Sequence, residues 1–310
     1  MSDMVSAKYA PVAVFVYSRP EKTRALFESL RRNEPAEKSD VHVFSDAAKN
    51  PKAEAGVKEV REYVRSLGSK DWFKSVNLHM AESNKGLARS VIDGITGILK
   101  EYDRVIVLED DLVLSEYFLD YMNECLECFV EDKRIWSIDG YSHNPARPAG
   151  YGSNIYLTYR ASSWGWGTWR DRWDMADWEV KDYSTFRLDP VANIRFMRGG
   201  NDLPSMLRAY KKGKIDSWAV RWCLSQSRHD MMSVAPIKSL VINNGLDGSG
   251  TNCKDDESNA LTFGETEKDR KQWADAGVMP NRELIRDFYR RHHLSMYIRI
   301  RDKVREILKV

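Results

Sequence analysis

The amino-acid sequence predicts an α/β fold with a mostly parallel central sheet flanked by helices. Two segments, Val12–Tyr17 (VAVFVY) and Val105–Leu108 (VIVL), are continuous apolar runs, the pattern of strands covered on both faces. Stretches of ten or more residues with helical spacing separate the short strands, as βαβ crossovers require. The 310 residues are 42% hydrophobic and 30% charged, which supplies a buried core and excludes wholesale disorder.

The elements follow in order. The first strand stops at Ser18-Arg19-Pro20, and Pro20 suits the first turn of a helix carrying Ala25, Leu26 and Leu30. Val41–Phe44 is a second strand, ending in Ser45-Asp46-Ala47, and Val57, Val60 and Val64 mark the helix after it. A third strand covers Val76–Met80. Gly86–Leu99 reads as a helix with Leu87, Val91, Ile95 and Ile98 on one face. The fourth strand is Val105–Leu108. Ser115 is a candidate N-cap for a helix running to about Val130, and Ile135–Ile138 is a fifth strand. Beyond Asp139 the rhythm breaks. Residues 140–190 are rich in Gly, Trp, Asp and Tyr, with one strand at Ile155–Tyr159. Helices are expected at 190–199, 203–212 and 218–228, a strand at Ser239–Ile242, and a long polar loop over Asn243–Gly264. One domain is expected: a nucleotide-binding half over 1–140, an irregular acceptor-binding half with a mobile loop over 141–264, and a basic helical extension over 265–310.

Composition narrows the function. Lys plus Arg is 48 against 46 for Asp plus Glu, too balanced for a dedicated nucleic-acid binder. Mean hydropathy is −0.55 and no apolar run approaches the ~20 residues of a membrane span. The start, MSDMVSAKYAPVAVFVYSRP, lacks the basic opening and small-residue cleavage site of a signal peptide, and four cysteines make no disulfide scaffold, so a cytoplasmic setting is expected. Of ten tryptophans, seven lie between Trp164 and Trp222, which hints at a sugar- or ring-binding surface.

Chemistry concentrates at Glu109-Asp110-Asp111, directly after the fourth strand. Ligands of open parallel sheets bind beyond the carboxyl ends of the strands, and three adjacent carboxylates repel one another unless a cation neutralises them. Mg²⁺ or Mn²⁺ prefers such oxygen donors together with substrate phosphates. A plain acidic loop capping the next helix is the alternative.

The run VIVLEDDLVLSEYFLDYMNECL resembles the metal-binding, DXD-type segment of GT-A glycosyltransferases, with its nearest likeness in N-acetylglucosaminyltransferase I-like enzymes and bacterial surface-polysaccharide glycosyltransferases. VAVFVYSRPEKTRALFESL, VFSDA, ESNKGLARSVIDGI, YRASSWGWGTWRDRWD, DSWAVRW and NNGLDGSG follow in family order, to about residue 255. The resemblance implies a metal-dependent enzyme moving a sugar from a nucleotide sugar, a UDP-sugar, to a glycan or lipid-linked glycan. It implies that Tyr17, Ser18, Arg19 and Asp46 hold the nucleotide, that Asp111 ligates Mn²⁺ or Mg²⁺, that Asp110 touches ribose or a metal-bound water, and that Glu109 touches the sugar or a structural amide. Asn84 and Arg89 flank Gly86 near a helix N-terminus that favours anions; Arg89 is a candidate diphosphate contact or a plain surface residue. Trp164 or Trp166 is expected to line the acceptor site, beside Gly165 and Gly167, with Trp169 and Trp173 in the core. By resemblance Asp216, just before a tryptophan, is the base of an inverting transfer; a helix N-cap is its other reading, and Asp171, Asp174 and Asp177 are alternatives. The segment VINNGLDGSGTNC resembles the loop that closes over the donor, although Asn252 stands where many relatives carry histidine.

Other signals are set aside. Cys125 and Cys128 lie in a helical pattern rather than a zinc site, and His292-His293 reads as a basic surface pair. The tail from Leu294, with Tyr297, Ile298, Val304, Ile307 and Leu308 among basic residues, suits a helix on an anionic membrane surface, on this domain or on a homodimer partner. A sugar-nucleotide nucleotidyltransferase needs a glycine-rich phosphate loop that SRPEKTR lacks. A non-catalytic carbohydrate-binding module has no use for a nucleotide-type βαβ half, and a dehydrogenase needs a G-x-G-x-x-G that does not follow Tyr17.

Overall fold

The computed structural model describes residues 8–245, 263 and 273–293. The first half runs β1 (Val12–Val16), α1 (Pro20–Leu30), β2 (Asp40–Ser45), α2 (Pro51–Ser66), β3 (Ser75–Met80), α3 (Leu87–Ile98) and β4 (Arg104–Glu109). Then come β5 (Leu112–Leu114), α4 (Phe118–Cys128), β6 (Ile135–Asp139), β7 (Ile155–Thr158), β8 (Trp166–Trp169) and α5 (Arg170–Asp174). The remainder is α6 (Tyr183–Leu188), α7 (Pro190–Phe196), α8 (Leu203–Lys211), α9 (Trp218–Arg228), β9 (Met232–Pro236), β10 (Val241–Asn243) and α10 (Arg282–Arg291).

Eight strands form one sheet in the order β3-β2-β1-β4-β8-β6-β9-β7. The pairs β3–β2, β2–β1, β1–β4 and β6–β9 are parallel, so the sheet is α/β and mostly parallel, as the apolar runs predict. All five residues of β1 are buried because both its faces are covered. Val12, Val14 and Val16 pack with Leu26 and Phe27 of α1 and Val60 and Val64 of α2. Ala13 and Phe15 face the opposite side with Val91 and Ile95 of α3. Gly94 lets α3 close on the sheet, since a Cβ there would meet the Phe15 ring at 2.9 Å. The chain therefore builds outward from β1 to β2 and β3, then α3 crosses on the other face to place β4 on the free edge of β1. That reversal is the topological switch point of the sheet.

Three strands escape the sequence reading. β8 inserts antiparallel between β4 and β6, pairing Val107 with Trp166 and Asp139 with Trp166. Its Trp-Gly-Thr-Trp run, with Trp166 set between two glycines, hides a period-2 strand in which Trp166 faces one layer and Gly167 and Trp169 the other. β9 lies between β6 and β7. β5 pairs antiparallel with β10 outside the main sheet, so the expected strand at Ser239–Ile242 is displaced to Val241–Asn243 and serves this ribbon. Ser115 is not the N-cap of α4, which starts at Phe118; its hydroxyl accepts from the Tyr117 N–H one turn earlier, at 3.2 Å.

His292 is not a surface residue beside His293. It folds back so that its Nε2 lies 3.3 Å from Nε2 of His143, while Leu284 of the same helix is buried with Tyr156, Ala235 and Ile237. Burial pushes His143 down to about 4 and His292 to about 3, with nearby Arg160 and Arg291 adding to the shift. Both rings are thus neutral in the folded chain and free to charge in the unfolded one. Stability is fully present above pH ~6.5 and falls as pH drops toward 4, where the unfolded state binds more protons. A thermal melt series from pH 7 to 4.5 is expected to lose up to about 5 kcal/mol through these two rings, ~1.4 kcal/mol per pH unit for each. His292→Phe should flatten that slope; an unchanged slope would mean that other groups set it.

Candidate active site

The β1–α1 loop carries Tyr17, Ser18 and Arg19. It is pinned from below: Ser18 packs against Gly56 of α2, where a Cβ would meet the Ser18 carbonyl oxygen at 2.4 Å. Thr23 donates to the Arg19 carbonyl at 2.9 Å, tying the loop to the first turn of α1. The Tyr17 hydroxyl accepts from the Lys49 N–H at 2.8 Å, joining this loop to the one after β2.

Across the switch point stand the acids that follow β4. The Tyr17 N–H donates to Asp110 at 3.2 Å, and the Arg19 guanidinium donates from one nitrogen to both Asp110 and Asp111, the latter at 3.0 Å. Side-chain exposure is 24% for Arg19, 5% for Asp110 and 11% for Asp111, so this is a largely desolvated cluster. Burial raises Asp110, and the arginine opposes that rise. The second guanidinium nitrogen of Arg19 is buried with no hydrogen-bond partner, a donor left over for a ligand. The β5–β10 ribbon covers the cluster. Asn244 N–H donates to the Asp111 carbonyl at 2.7 Å, and Gly245 passes so close that a Cβ would meet the Asp111 carboxylate at 2.3 Å. The expected closing loop thus begins on Asp111, while residues 246–262, Asn252 included, lie outside the described residues.

Asp46 does different work from a free base-reading carboxylate. It accepts from the N–H groups of Ala47, Lys85 and Gly86 and from the Asn84 side-chain amide, all at 2.9–3.0 Å in their shortest contacts. It therefore shapes the turn that opens α3, where Gly86 takes φ +78°, a conformation glycine adopts without strain. Asn84 also donates to the Ala47 carbonyl at 2.7 Å. Arg89 turns away to pair with Asp93 at 2.9 Å and is 71% exposed.

Asp216 comes to this same turn. Its carboxylate lies 4.0 Å from where a Gly86 Cβ would stand, and its side chain is 63% exposed. The N-cap of α9 is Ser217, whose hydroxyl accepts from Val220, so Asp216 is not spent on capping. Arg221, mostly buried and stacked on Tyr210, donates to Asp216 at 3.2 Å and orients it. Glu109 hydrogen-bonds Trp218 two residues on, and burial together with the charges of Asp111 and Asp110 pushes its carboxyl up to about 8. The geometry thus gathers Tyr17, Ser18, Arg19, Asp110 and Asp111 on one side and Asp46, Asn84 and Asp216 on the other, with Glu109 adjoining both.

No protein-family model matches the chain, and no curated protein matches it. Among solved structures it is similar to S. aureus TarS at 17% identity and a TM-score of 0.28, over 38% of this chain and 19% of that one. It is similar to TarS 1–349 in complex with UDP-GlcNAc at 15% identity and a TM-score of 0.28, over 42% and 33% of the two chains. The same fragment in complex with UDP gives 18% and 0.27, over 42% and 34%. The overlap spans 19–34% of those chains, and likeness at this level carries no argument about activity.

The tryptophans divide. Trp166 is fully buried and stacks on Trp218 at 5.1 Å, in the core with Trp173; Trp169 is core on the other face, donating its indole N–H to the Leu126 carbonyl at 2.9 Å. Trp166 is therefore removed from the acceptor candidates. Trp164 is half-buried, set edge-on against Tyr141 at 4.4 Å. Among the alternative bases, Asp171 pairs with Arg172 and Lys133, and Asp177 with Arg228, both away from the Arg19 cluster. The sequence reading missed Arg221, Gly245 and Trp218, whose roles depend on contacts remote in sequence; only the position of Gly245 in a conspicuous NNG run could have signalled one of them.

Asp46→Ala would leave the N–H groups of Ala47, Lys85 and Gly86 without their acceptor. A loss of about 3 kcal/mol in urea unfolding is expected, since each orphaned buried donor costs ~1–3 kcal/mol. Wild-type stability in this variant would show that the turn does not depend on Asp46.

Proposed function

We propose that this chain is a glycosyltransferase that moves a sugar from a nucleotide sugar, a UDP-sugar, to a glycan or lipid-linked glycan acceptor, inverting the anomeric centre, in surface-polysaccharide synthesis. The observation that carries the reading is the place of the Arg19–Asp110–Asp111 cluster: it spans the carboxyl ends of β1 and β4, the switch point at which open α/β sheets bind nucleotides. Tyr17 and Ser18 would border the base and ribose, and the unpartnered Arg19 nitrogen would meet a phosphate. Asp46 and Asn84 would act through the turn they hold, and Asp110 and Glu109 would face the ribose and the sugar.

The acids also fit a hard divalent cation. No group of three His, Cys, Asp or Glu side chains is gathered for a metal among the described residues. One or two carboxylates completed by substrate phosphates are nonetheless the usual Mg²⁺ arrangement. Asp111, with diphosphate oxygens, would hold Mn²⁺ or Mg²⁺, and the ion would supply positive charge to the departing nucleoside diphosphate.

For the transfer itself, Asp216 takes the acceptor hydroxyl proton as that oxygen bonds to the anomeric carbon and the bond to the diphosphate breaks. A hydroxyl is too weak an acid to be deprotonated beforehand, so proton transfer is concerted with attack, and an exposed carboxylate oriented by Arg221 suffices. No described helix is long and apolar enough to cross a membrane. Contact with the inner membrane face is assigned to the C-terminal basic tail, and residues 294–310 lie outside the described residues.

Asp111→Ala is expected to fold normally and to lose at least ~10-fold in Mn²⁺-dependent UDP affinity by calorimetry. Full transfer in EDTA would remove the metal from the scheme. Asp216→Asn should keep its donor affinity while turnover falls ~10²–10⁴-fold; near-normal turnover would move the base elsewhere.

A further inference from the structure

A cavity of about 210 Å³ lies beyond the carboxyl end of β6, against Ala219, Val220 and Cys223 of α9, the helix that follows Asp216. Its walls are aromatic: Tyr141, Trp164 and Phe288. Ala219 and Cys223 of α9 form its floor, and Ser162 and Ser163 line it with hydroxyls. Trp164 cannot rotate freely, because Tyr141 meets it edge-on at 4.4 Å and 72°.

The charged side chains around this cavity are all neutralised within the protein. A single chain of hydrogen bonds fixes both histidines as neutral rings. The His292 Nδ1–H donates to the Phe288 carbonyl at 3.0 Å, so its Nε2 must accept from His143 Nε2–H at 3.3 Å, and His143 Nδ1 then accepts from the Tyr141 hydroxyl at 3.0 Å. An added proton on either ring would break the chain. The burial that depresses both histidines acts in the same sense. Arg160 donates to both oxygens of Asp202, at 2.8 and 2.9 Å. Asp139 is buried, accepts from Ser137, and is pushed well above the usual carboxylate range by desolvation.

We propose that this cavity is the acceptor subsite and that it takes a single uncharged sugar ring. The inference rests on the glycosyltransferase reading above. Its volume is below the ~300–1,000 Å³ of ordinary ligand pockets, so one ring fills it. Aromatic planes suit the C–H faces of a pyranose, and the Ser162 and Ser163 hydroxyls suit its edges. A uronate or an amino sugar would be desolvated with no free partner for its charge.

Saturation-transfer NMR on the full chain tests this with methyl glycosides of a neutral hexose, an N-acetylhexosamine, a hexuronate and a hexosamine, each with and without UDP. The neutral rings are expected to bind at least about tenfold more tightly than the charged ones, with no competition from UDP. Ala219→Leu fills the cavity and should abolish the glycoside signal while UDP binding and the melting temperature stay as in the wild type. Trp164→Ala, at a half-buried position, is the second variant and should weaken the signal likewise. Equal binding of charged glycosides, competition by UDP, a signal unmoved by either substitution, or no glycoside binding by a chain that binds UDP would each overturn the subsite. Glycoside binding by a chain that does not bind UDP would instead overturn the glycosyltransferase reading and leave the sugar cavity standing.

Discussion

One guanidinium holds the centre of this fold together. Asp110 and Asp111 are adjacent carboxylates drawn almost entirely out of water, and burying such charges unpaired costs several kcal/mol each. Arg19 is 91 and 92 residues away along the chain, and only the parallel pairing of β1 with β4, which sets Phe15 opposite Glu109, brings its loop to the acids. The cluster therefore depends on the switch in strand order and, once formed, locks that switch. The end of the β5–β10 ribbon lies against it: Asn244 donates to the Asp111 backbone carbonyl, and Gly245, lacking a Cβ, passes close beside the Asp111 carboxylate.

A slab of indoles fixes the opposite wall. Trp166 contacts Trp173, Trp218 and Trp222 at ring distances of 5.1–6.2 Å, and Trp222 lies 4.2 Å from Trp136. Large flat side chains bury much area with few torsions to freeze, so they set the height and tilt of α9 above the sheet. That tilt decides where Asp216 and Trp218 emerge, one toward the Gly86 turn and the other onto Glu109. The tryptophan-rich segment acts on the site mainly by positioning α9, with Trp164 and Trp178 the partly exposed members.

The parallel half was legible because its two central strands, β1 and β4, are short and apolar on both faces, and β1, β2 and β4 run into Ser or Asp where they end. The same logic located Glu109-Asp110-Asp111 at a strand end. It failed at β8, where Gly165 and Gly167 look like loop residues. In the fold Gly167 is small because Val105, Met122 and Leu126 crowd its Cβ position at 3.0–3.2 Å. It left Asp46 and Asp216 open: a carboxylate after a strand and an acid before a helix carry no local mark that tells a ligand contact from a turn or a cap. Arg19 was visible as a candidate, but its bond to the acids was not, because pairing across 91 residues has no signature in composition or period.

The charge arithmetic of the cluster bears on what it can bind. Two aspartates and one arginine leave a net charge of about −1 beside the β1 loop. A nucleoside diphosphate brings two or more further negative charges, and each unit pair at 4 Å costs about 4 kcal/mol near a protein surface. The spare nitrogen of Arg19 can return only part of that through a charge-assisted hydrogen bond. Arg19 and the N-terminus of α1 offset part of that repulsion. Under the proposed reading, a divalent cation arriving with the diphosphate would turn repulsion from Asp111 into attraction and leave Arg19 free to exchange a carboxylate for a phosphate.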